Sequence, residues 1–510
     1  MSLTISVNEI VERETDALLA IHPSWGRVPL GDVAEVTNGF PFQSKLFNGT
    51  GDGRPLVRIR NVVGGDTDTY TTERFDERYV VRAGDLLVGM DGDFNTARWS
   101  GPDSLLNQRV CKVEVTSDRY EARFLDHVLP GYLAAIHRNT SSVTVKHLSS
   151  KSIQSIPLPL PPLAEQRQIA DKVDELFSDL DAGEAALRDA RRRLVRYRQS
   201  VLNAAVTGTL TEAWREAHPD ADPAVLLLDR ILAERRRQWE TDSLAKYAAK
   251  GARPPKSWGD RYTPPADPEV SGLPPLPDDW TWTSPEQVES PEPYSLSIGP
   301  FGSNLKVEDY LDEGIPLVFV RNIRRGVYDG SGTRYVSPQK AAELAAHSVS
   351  GGDILITKMG APPGDADLYP VSQPDAIITA DCVKWRVSAL LPSRLYFVHA
   401  TNSPLMAEQI QRITSGVAQQ KISLTRFRTL AYPLPPEAEQ AAIVDEVERR
   451  LSVADTVAAD VDAQLLRSKR LRRSILQRAF EGRLVPHQAP APETPPLPGA
   501  VFGRQTTLAL

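Results

Sequence analysis

The residue groupings that would give this chain chemistry of its own do not occur in it. A restriction-type nuclease centre needs a lysine two residues after a carboxylate, and no lysine has that spacing. A phosphate-cradling loop needs a Gly-Lys step before Ser or Thr, and no Gly-Lys dipeptide exists. An amino methyltransferase clamps its acceptor base with Asn/Asp-Pro-Pro-aromatic, which is also missing. Gly49-Thr50-Gly51-Asp52-Gly53 is glycine-rich, but its spacing fits no nucleotide loop and it reads as a mobile turn. The eight histidines show no metal-ligand spacing. Asp85 and Asp353 each follow a glycine and precede an apolar run, the place of a turn carboxylate entering a buried strand. The chain therefore reads as non-catalytic, with no cofactor of its own.

What the chain does carry, it carries twice. Pro159-Leu160-Pro161-Pro162-Leu163-Ala164-Glu165-Gln166 opens one helical stretch, and Pro433-Leu434-Pro435-Pro436-Glu437-Ala438-Glu439-Gln440 opens another. The offset of 274 (433 − 159) then holds through Ile169 and Ile443, Ser200-Val201-Leu202 and Ser474-Ile475-Leu476, and Gly208 and Gly482. Upstream the match is looser: 255 between Trp25 and Trp280, 261 between Pro55 and Pro316, 268 between Gly84 and Gly352. Insertions are tolerated in the strand-rich parts and absent from the helices. A duplicated half implies a pseudo-symmetric protein that faces two related sites.

Apolar residues recur every seven along the first helix, read as running from Leu163 to Val206: Val173, Leu180, Leu187, Leu194 and Val201. Leu176, Ala190, Tyr197 and Ala204 take the companion positions. The second helix keeps Val447, Ala454, Val461 and Ile475 on the same frame, with Ser468 a defect and Leu471 a companion. Gly208 and Gly482 act as stops. Helices of about 45 residues reach roughly 65 Å and need a partner, so each is expected to pair with its own copy. Antiparallel pairing would put the domains that precede them at opposite ends.

The expected fold class is α+β: two strand-rich domains separated by a pair of long antiparallel coiled-coil helices, with an internal pseudo-two-fold repeat. The divisions are an N-terminal arm over 1–24, a strand-rich domain over 25–160, a helix over 161–210, a connector over 211–276, a second strand-rich domain over 277–434, a helix over 435–485 and a disordered Pro/Ala-rich tail over 486–510. In the connector, Leu226 to Trp239 reads as a short charged helix whose Arg235-Arg236-Arg237 is a solvated face, followed by proline pairs that keep the chain extended. Cys111 and Cys382 occupy matching strand-like runs, as core residues and not a disulfide. No apolar run is long enough to span a membrane, and the N-terminus is too acidic for a targeting peptide. The cytoplasm is the expected compartment. A net charge of −7 does not advertise nucleic-acid binding, but a groove needs only a local basic surface.

A strand-rich domain, Pro-Leu-Pro-Pro-x-Ala-Glu-Gln and a long helix ending in Gly-x-Leu, all repeated once, closely resemble the specificity subunit of type I restriction–modification systems. The resemblance covers about 25–210 and 277–485. It implies that each strand-rich part is a target-recognition domain reading half of a bipartite double-stranded DNA sequence. It also implies that the helices are a ruler and a docking surface for two adenine-methyltransferase subunits, with motor–nuclease subunits joining to cleave unmodified DNA. S-adenosylmethionine, ATP and magnesium would then belong to those partners. The chain departs from the minimal pattern in its long connector and in Arg450, Gln464 and Ser468 of the second helix. Readings from other classes are a methyltransferase scaffold without a nuclease partner, a fused methyltransferase–nuclease and a structural coiled-coil adaptor.

Reading bases takes Arg, Lys, Asn and Gln on loops, and phosphate contacts take cations and hydroxyls. The first-domain candidates are Phe42, Ser44, Lys45, Arg58, Arg60, Asn61, Arg98, Gln108, Arg109, Lys146 and His147. The second-domain candidates are Ser303, Asn304, Lys306, Arg321, Asn322, Arg324, Arg325, Lys358, Gln419, Gln420 and Lys421. Arg60-Asn61 and Arg321-Asn322 recur at matching points, which suits backbone contact or folding. Lys146-His147 and Gln420-Lys421 differ, which suits readout. Gln166 and Gln440 are read as braces of the helix starts.

Overall fold

The duplicated proline motif is where each strand-rich domain closes on itself. In the computed structural model, which describes residues 6–14, 16–140, 146–324, 327–360, 362–415 and 420–487, Gly26–Pro29 pairs antiparallel with Pro157–Leu160. Thr281–Thr283 pairs likewise with Tyr432–Leu434. Both ladders are only two strands wide, so prolines without an N–H sit where no third strand needs a donor. The next prolines start the helices. Pro162 C=O accepts from the Glu165 and Gln166 N–H groups, and Pro436 C=O from those of Glu439 and Gln440. The helices run Leu163–Val206 and Glu437–Phe480, 44 residues each. Gly208 (φ 79°) and Gly482 (φ 66°) follow in the left-handed conformation that ends a helix.

The two domains repeat one sheet order. In the first, Ala34–Asn38, Val110–Val115, Leu86–Gly89 and Thr96–Arg98 lie side by side in that order. In the second, Leu296–Ile298, Cys382–Trp385, Ile354–Thr357 and Ala366–Leu368 do the same. Each domain also has one parallel pair, Arg54–Val57 with Ser104–Leu106 and Ile315–Val318 with Ala376–Ile378. Cys111 and Cys382 sit on equivalent inner strands, free and buried, and burial pushes both thiols up to about 12. Asp85 and Asp353 are turn residues: each accepts the N–H of the residue three before it, Arg82 and Ser350, at 2.9 Å. Asp353 is also gripped by Arg386 Nε and Nη2, both at 2.8 Å.

The chain divides into two compact units, Met1–Leu187 with Asp462–Leu510 and Arg188–Val461. The division cuts both long helices, so each unit owns a part of each. In the first unit Ile169 and Val173 share a core with Ile475, Ala479, Phe480 and the sheet-covering helix Ala122–Asn139. In the second, Val201, Leu202, Ala205 and Val206 share one with Ile443 and Val447. Within each unit the helix segments run antiparallel: Glu184 meets Ser468 while Asp181 meets Arg472, and Arg198 meets Asp455.

On the seven-residue frame Val173, Val201, Val447, Val461 and Ile475 are buried and Leu180, Leu187 and Leu194 half-buried. On the companion line Leu176 packs against the first unit's core and Ala190 and Ala204 are half-buried, whereas two residues need correction. Tyr197 is 43% exposed and Leu471 46%. The partner is met one residue further on, by Phe177, Glu184, Arg198 and Ala205. Steps of three and four both return to one helix face, and the polar contacts follow the line that the apolar companions did not mark. Ser468 is no simple defect. Its hydroxyl donates to buried Glu184 at 2.7 Å, Arg472 Nε reaches the same oxygen at 3.2 Å, and the Arg472 guanidinium lies 4.9 Å from the centre of the Phe177 ring.

The connector is more ordered than expected. Its helix spans Ala224–Ala249 and buries Ala224, Leu227, Leu228 and Ile231 in the second unit's core beside Trp280 and Val288. Arg235 is not a solvated residue: its Nη2 meets Glu289 at 2.6 Å, and Arg428 meets the same carboxylate. Arg236 and Arg237 pair with Glu240 and Glu234 of their own helix. The following segment turns back, stacking Trp258 on Trp239 at 5.8 Å. The expected tail falls almost wholly on 488–510, outside the described residues.

Candidate nucleic-acid interface

Six first-domain candidates, Phe42, Ser44, Arg58, Arg60, Gln108 and Arg109, line one groove of about 680 Å³. Three turns bring them there. Ser44–Leu46 is a tight turn that leaves Ser44 and Lys45 exposed. Ile59–Asn61 is another, at the end of the strand Arg54–Val57. The third joins Ser104–Leu106 to Val110–Val115, closed by Val110 N–H on Asn107 C=O at 2.9 Å. Gly39 lets the first strand pass that turn, since a Cβ there would lie 2.0 Å from the Asn107 carbonyl oxygen. Gly299 does the same against Thr379 in the second domain, at 2.2 Å.

Within the groove the roles separate. Phe42 is buried with Leu56, Val80 and Leu105 and forms part of the groove wall. Arg60 stays exposed while its Nη2 holds Asp68 at 2.6 Å. Arg109 Nε lies 3.4 Å from Asp91, and His147 Nδ1 lies 2.6 Å from the other oxygen of that carboxylate, so His147 joins the groove. Asp91 was not foreseen as a site residue.

Three more first-domain candidates are set elsewhere. Asn61 is corrected to a folding residue: it is buried, and its Oδ1 accepts the Arg58 N–H at 3.0 Å, locking the turn. Arg98 ties the sheet edge to the helix behind it, with Nε on Asp126 at 2.6 Å and Nη1 on Gly84 C=O at 2.5 Å. Burial raises the Asp126 carboxyl pKa, and Arg98 opposes that shift. Lys146 Nζ donates to His137 C=O at 2.6 Å, at the end of that helix.

In the second domain Asn322 repeats the role of Asn61. It is 1% exposed, accepts the Phe319 N–H at 2.8 Å and donates to Asp329 C=O at 2.6 Å, so it too is corrected to a folding residue. Arg321 donates to Gly332 C=O at 2.7 Å and lies over the Phe319 ring. Arg324 is exposed on a two-stranded hairpin. Ser303, Asn304 and Lys306 form an exposed stretch after Phe301, itself 66% exposed. Lys358 Nζ lies 5.4 Å from the centre of the Phe301 ring. Its pKa is lowered, chiefly by burial, with Asp381 opposing and Lys421 reinforcing the shift. Lys421 and Gln420 stand on a strand paired with Met359–Gly360, and Gln420 lines a cavity of about 640 Å³. Arg325 and Gln419 lie outside the described residues.

Glu165 and Glu439 of the duplicated motif are the residues that sequence reasoning passed over. Both are fully buried. Glu439 Oε1 accepts from Thr211 Oγ1 and Arg215 Nη1, both at 2.6 Å, and Oε2 from Trp280 Nε1 at 2.7 Å. Glu165 meets His487 Nδ1 at 3.1 Å. Their signal was recurrence at one helical position, alongside Trp25 and Trp280. Gln166 braces its helix start, accepting from Glu121 N–H at 2.8 Å and donating to Arg119 and Pro161 C=O. Gln440 donates to Pro435 C=O at 3.1 Å.

Among the described residues no group of carboxylates, histidines and cysteines could hold a metal ion, and no helix is long and apolar enough to cross a membrane.

A family model described as the type I restriction modification DNA specificity domain matches residues 23–187, which hold the first groove. The chain is 35% identical over 490 residues to the type I restriction enzyme EcoBI specificity subunit of Escherichia coli, covering 95% of this chain and 91% of that protein. The chain belongs to the type I restriction enzyme specificity subunits. The EcoKI specificity subunit of Escherichia coli strain K12 is 24% identical over 490 residues, with 90% and 89% covered. A solved chain from a study of complex assembly and conformational transition of the type I R-M system shares the fold. Its TM-score is 0.59 at 17% identity, over 91% of this chain and 99% of that one. For a specificity subunit, two strand-rich domains of one sheet order and two long helices are the α+β architecture expected.

Proposed function

We propose that this specificity subunit is the non-catalytic reader of a type I restriction–modification complex, acting in the cytoplasm on a bipartite double-stranded DNA target. Each strand-rich domain reads one half-site, and the helix pair sets the distance between them. Two adenine-methyltransferase subunits dock on the helices, and motor–nuclease subunits join the assembly. S-adenosylmethionine, ATP and magnesium are the partners' cofactors.

The observation that carries this reading is the first groove, where Ser44, Arg58, Arg60, Gln108 and Arg109 converge on one concave surface of a domain whose sheet recurs in the second half. Arg and Gln in that setting suit base edges and phosphates alike. The docking role draws on apolar side chains left exposed along the helices, Val195 and Tyr197 on the first and Val453, Val457, Leu466 and Leu471 on the second.

Exchange of residues 25–158 for those of a relative tests the modular reading. Sequencing of methylated sites should show one half-site changed, and the other half-site and the spacing kept. Change in both half-sites would overturn it. A gel-shift with and without the methyltransferase subunits separates a DNA reader from a protein adaptor, which would shift no duplex in either case.

A further inference from the structure

The two domains hold one backbone frame and hang different side chains on it. Met90 N–H donates to Arg109 C=O at 2.9 Å, and Met90 C=O accepts from Leu148 N–H at 2.7 Å. In the second domain Lys358 N–H donates to Asp381 C=O at 2.8 Å, and Lys358 C=O accepts from Ile422 N–H at 3.0 Å. One residue on, Asp91 bridges His147, as Met359 pairs with Lys421. The frame thus sets Arg109 against Asp381, Asp91 against Met359 and His147 against Lys421. Residues that the fold needs behave differently: Asn61 and Asn322 keep one side chain and one hydrogen bond in both copies. Arg109 against Asp381 inverts the charge and the other two pairs change the chemistry, and a fixed backbone with changed side chains is what two readers of unlike sequences require.

Arg109 is the group in the first groove best prepared to read. Its side chain is 51% exposed, whereas that of Asp91 is 17% exposed. The carboxylate sits on the Nε side of the guanidinium and is itself anchored by His147 Nδ1 at 2.6 Å. Nη1 lies 3.4 Å from His147 Nδ1, so the guanidinium is held on that side and Nη2 with the outer N–H of Nη1 is left for two acceptors side by side. On the major-groove edges only guanine, through O6 and N7, offers two acceptors, while adenine offers one acceptor and one donor.

We propose that Arg109 reads a guanine of the first half-site and that Asp91 is its positioning residue. The inference rests on the reading that the first domain binds duplex DNA. The full-length chain with its methyltransferase subunits, selecting from a randomised duplex pool, tests it. The parent should enrich a bipartite motif. Arg109→Ala should relax one guanine of the first half-site, with discrimination there falling roughly 10- to 100-fold, and leave the second half-site and the spacing as they were. Asp91→Asn should loosen that same position by less, which a general loss of fold would not do. Arg109→Gln, which keeps a polar group beside Asp91, should lose guanine and gain adenine, and it carries the test if the alanine variant does not fold.

Weaker binding with every base preference retained would mean that Arg109 holds a phosphate, and would overturn the inference. So would relaxation at a base other than guanine. If the parent itself enriches no bipartite motif, the functional reading underneath fails instead.

Discussion

Replacing Glu439 with Gln should unlock the start of the second long helix. The carboxylate is fully buried and takes three donors, from Thr211, Arg215 and Trp280. An amide has one acceptor oxygen, so at least one of those donors would face an NH2 group, and Arg215 would lose its counter-charge. Breaking a buried pair costs about 3–5 kcal/mol. The Arg215 side chain keeps 18% exposure, which favours the lower end, about 3 kcal/mol. At roughly 2–4 °C per kcal/mol for a folding unit of this size, the melting temperature should fall by about 6–12 °C. Glu165→Gln is the internal comparison. Its one hydrogen-bond partner found among the described residues is His487, 28% exposed, so a loss of about 1 kcal/mol is expected. Calorimetry of the full-length chain reads both. Combining Glu439→Gln with Arg215→Met should cost less than the two changes summed, because they break one pair. An E439Q protein melting within about 2 °C of the parent would sink the claim that this carboxylate anchors the helix, given the ~3 kcal/mol at stake.

Four residues inserted after Gly183 lengthen the first helix by ~6 Å, near one turn. The insertion also shifts Glu184 out of register with Ser468. Partial loss of activity is expected, and the surviving methylation should show the same half-sites further apart; full activity with the old spacing would show that something else sets the distance. Val173→Asp buries a carboxylate in the first unit's core and should cost several kcal/mol, on the order of 3 or more. Leu187→Asp with Leu194→Asp should cost less, because both sites are half-buried, yet weaken methyltransferase docking; equal melting losses would misplace the seam. Asn61→Ala and Asn322→Ala should each lower stability by about 1–3 kcal/mol and leave the methylated sequence unchanged, whereas an altered motif would make them readers after all. The purified chain given S-adenosylmethionine and DNA should transfer no methyl group, and robust transfer would contradict the non-catalytic reading.

Legibility followed distance along the chain. The first helix, Leu163–Val206, was readable from its heptad and its glycine stop, because helix periodicity and left-handed caps are local properties. The equivalence of Cys111 and Cys382, and the turn roles of Asp85 and Asp353, followed from the internal repeat. Exposure of cations at the turns was partly readable too, since Arg58 and Arg60 flank the half-buried Ile59 in a strand-end turn.

The sequence by itself determined the duplication, the bounds of the first long helix and the family. Those rest on spacing, and spacing survives in one dimension. Only the tertiary structure decided which helix face meets the partner, because steps of three and four both satisfy an apolar heptad, and Glu184 with Ser468 makes the chosen line polar. It also decided that Phe42 is wall, that Arg235 is clamped to Glu289, and that Asp91, Arg109 and His147 meet. Those three residues come from different turns, and only the antiparallel closing of the sheet brings them within hydrogen-bonding reach. Pairing register is a property of strands far apart in sequence, so no local pattern could have announced it.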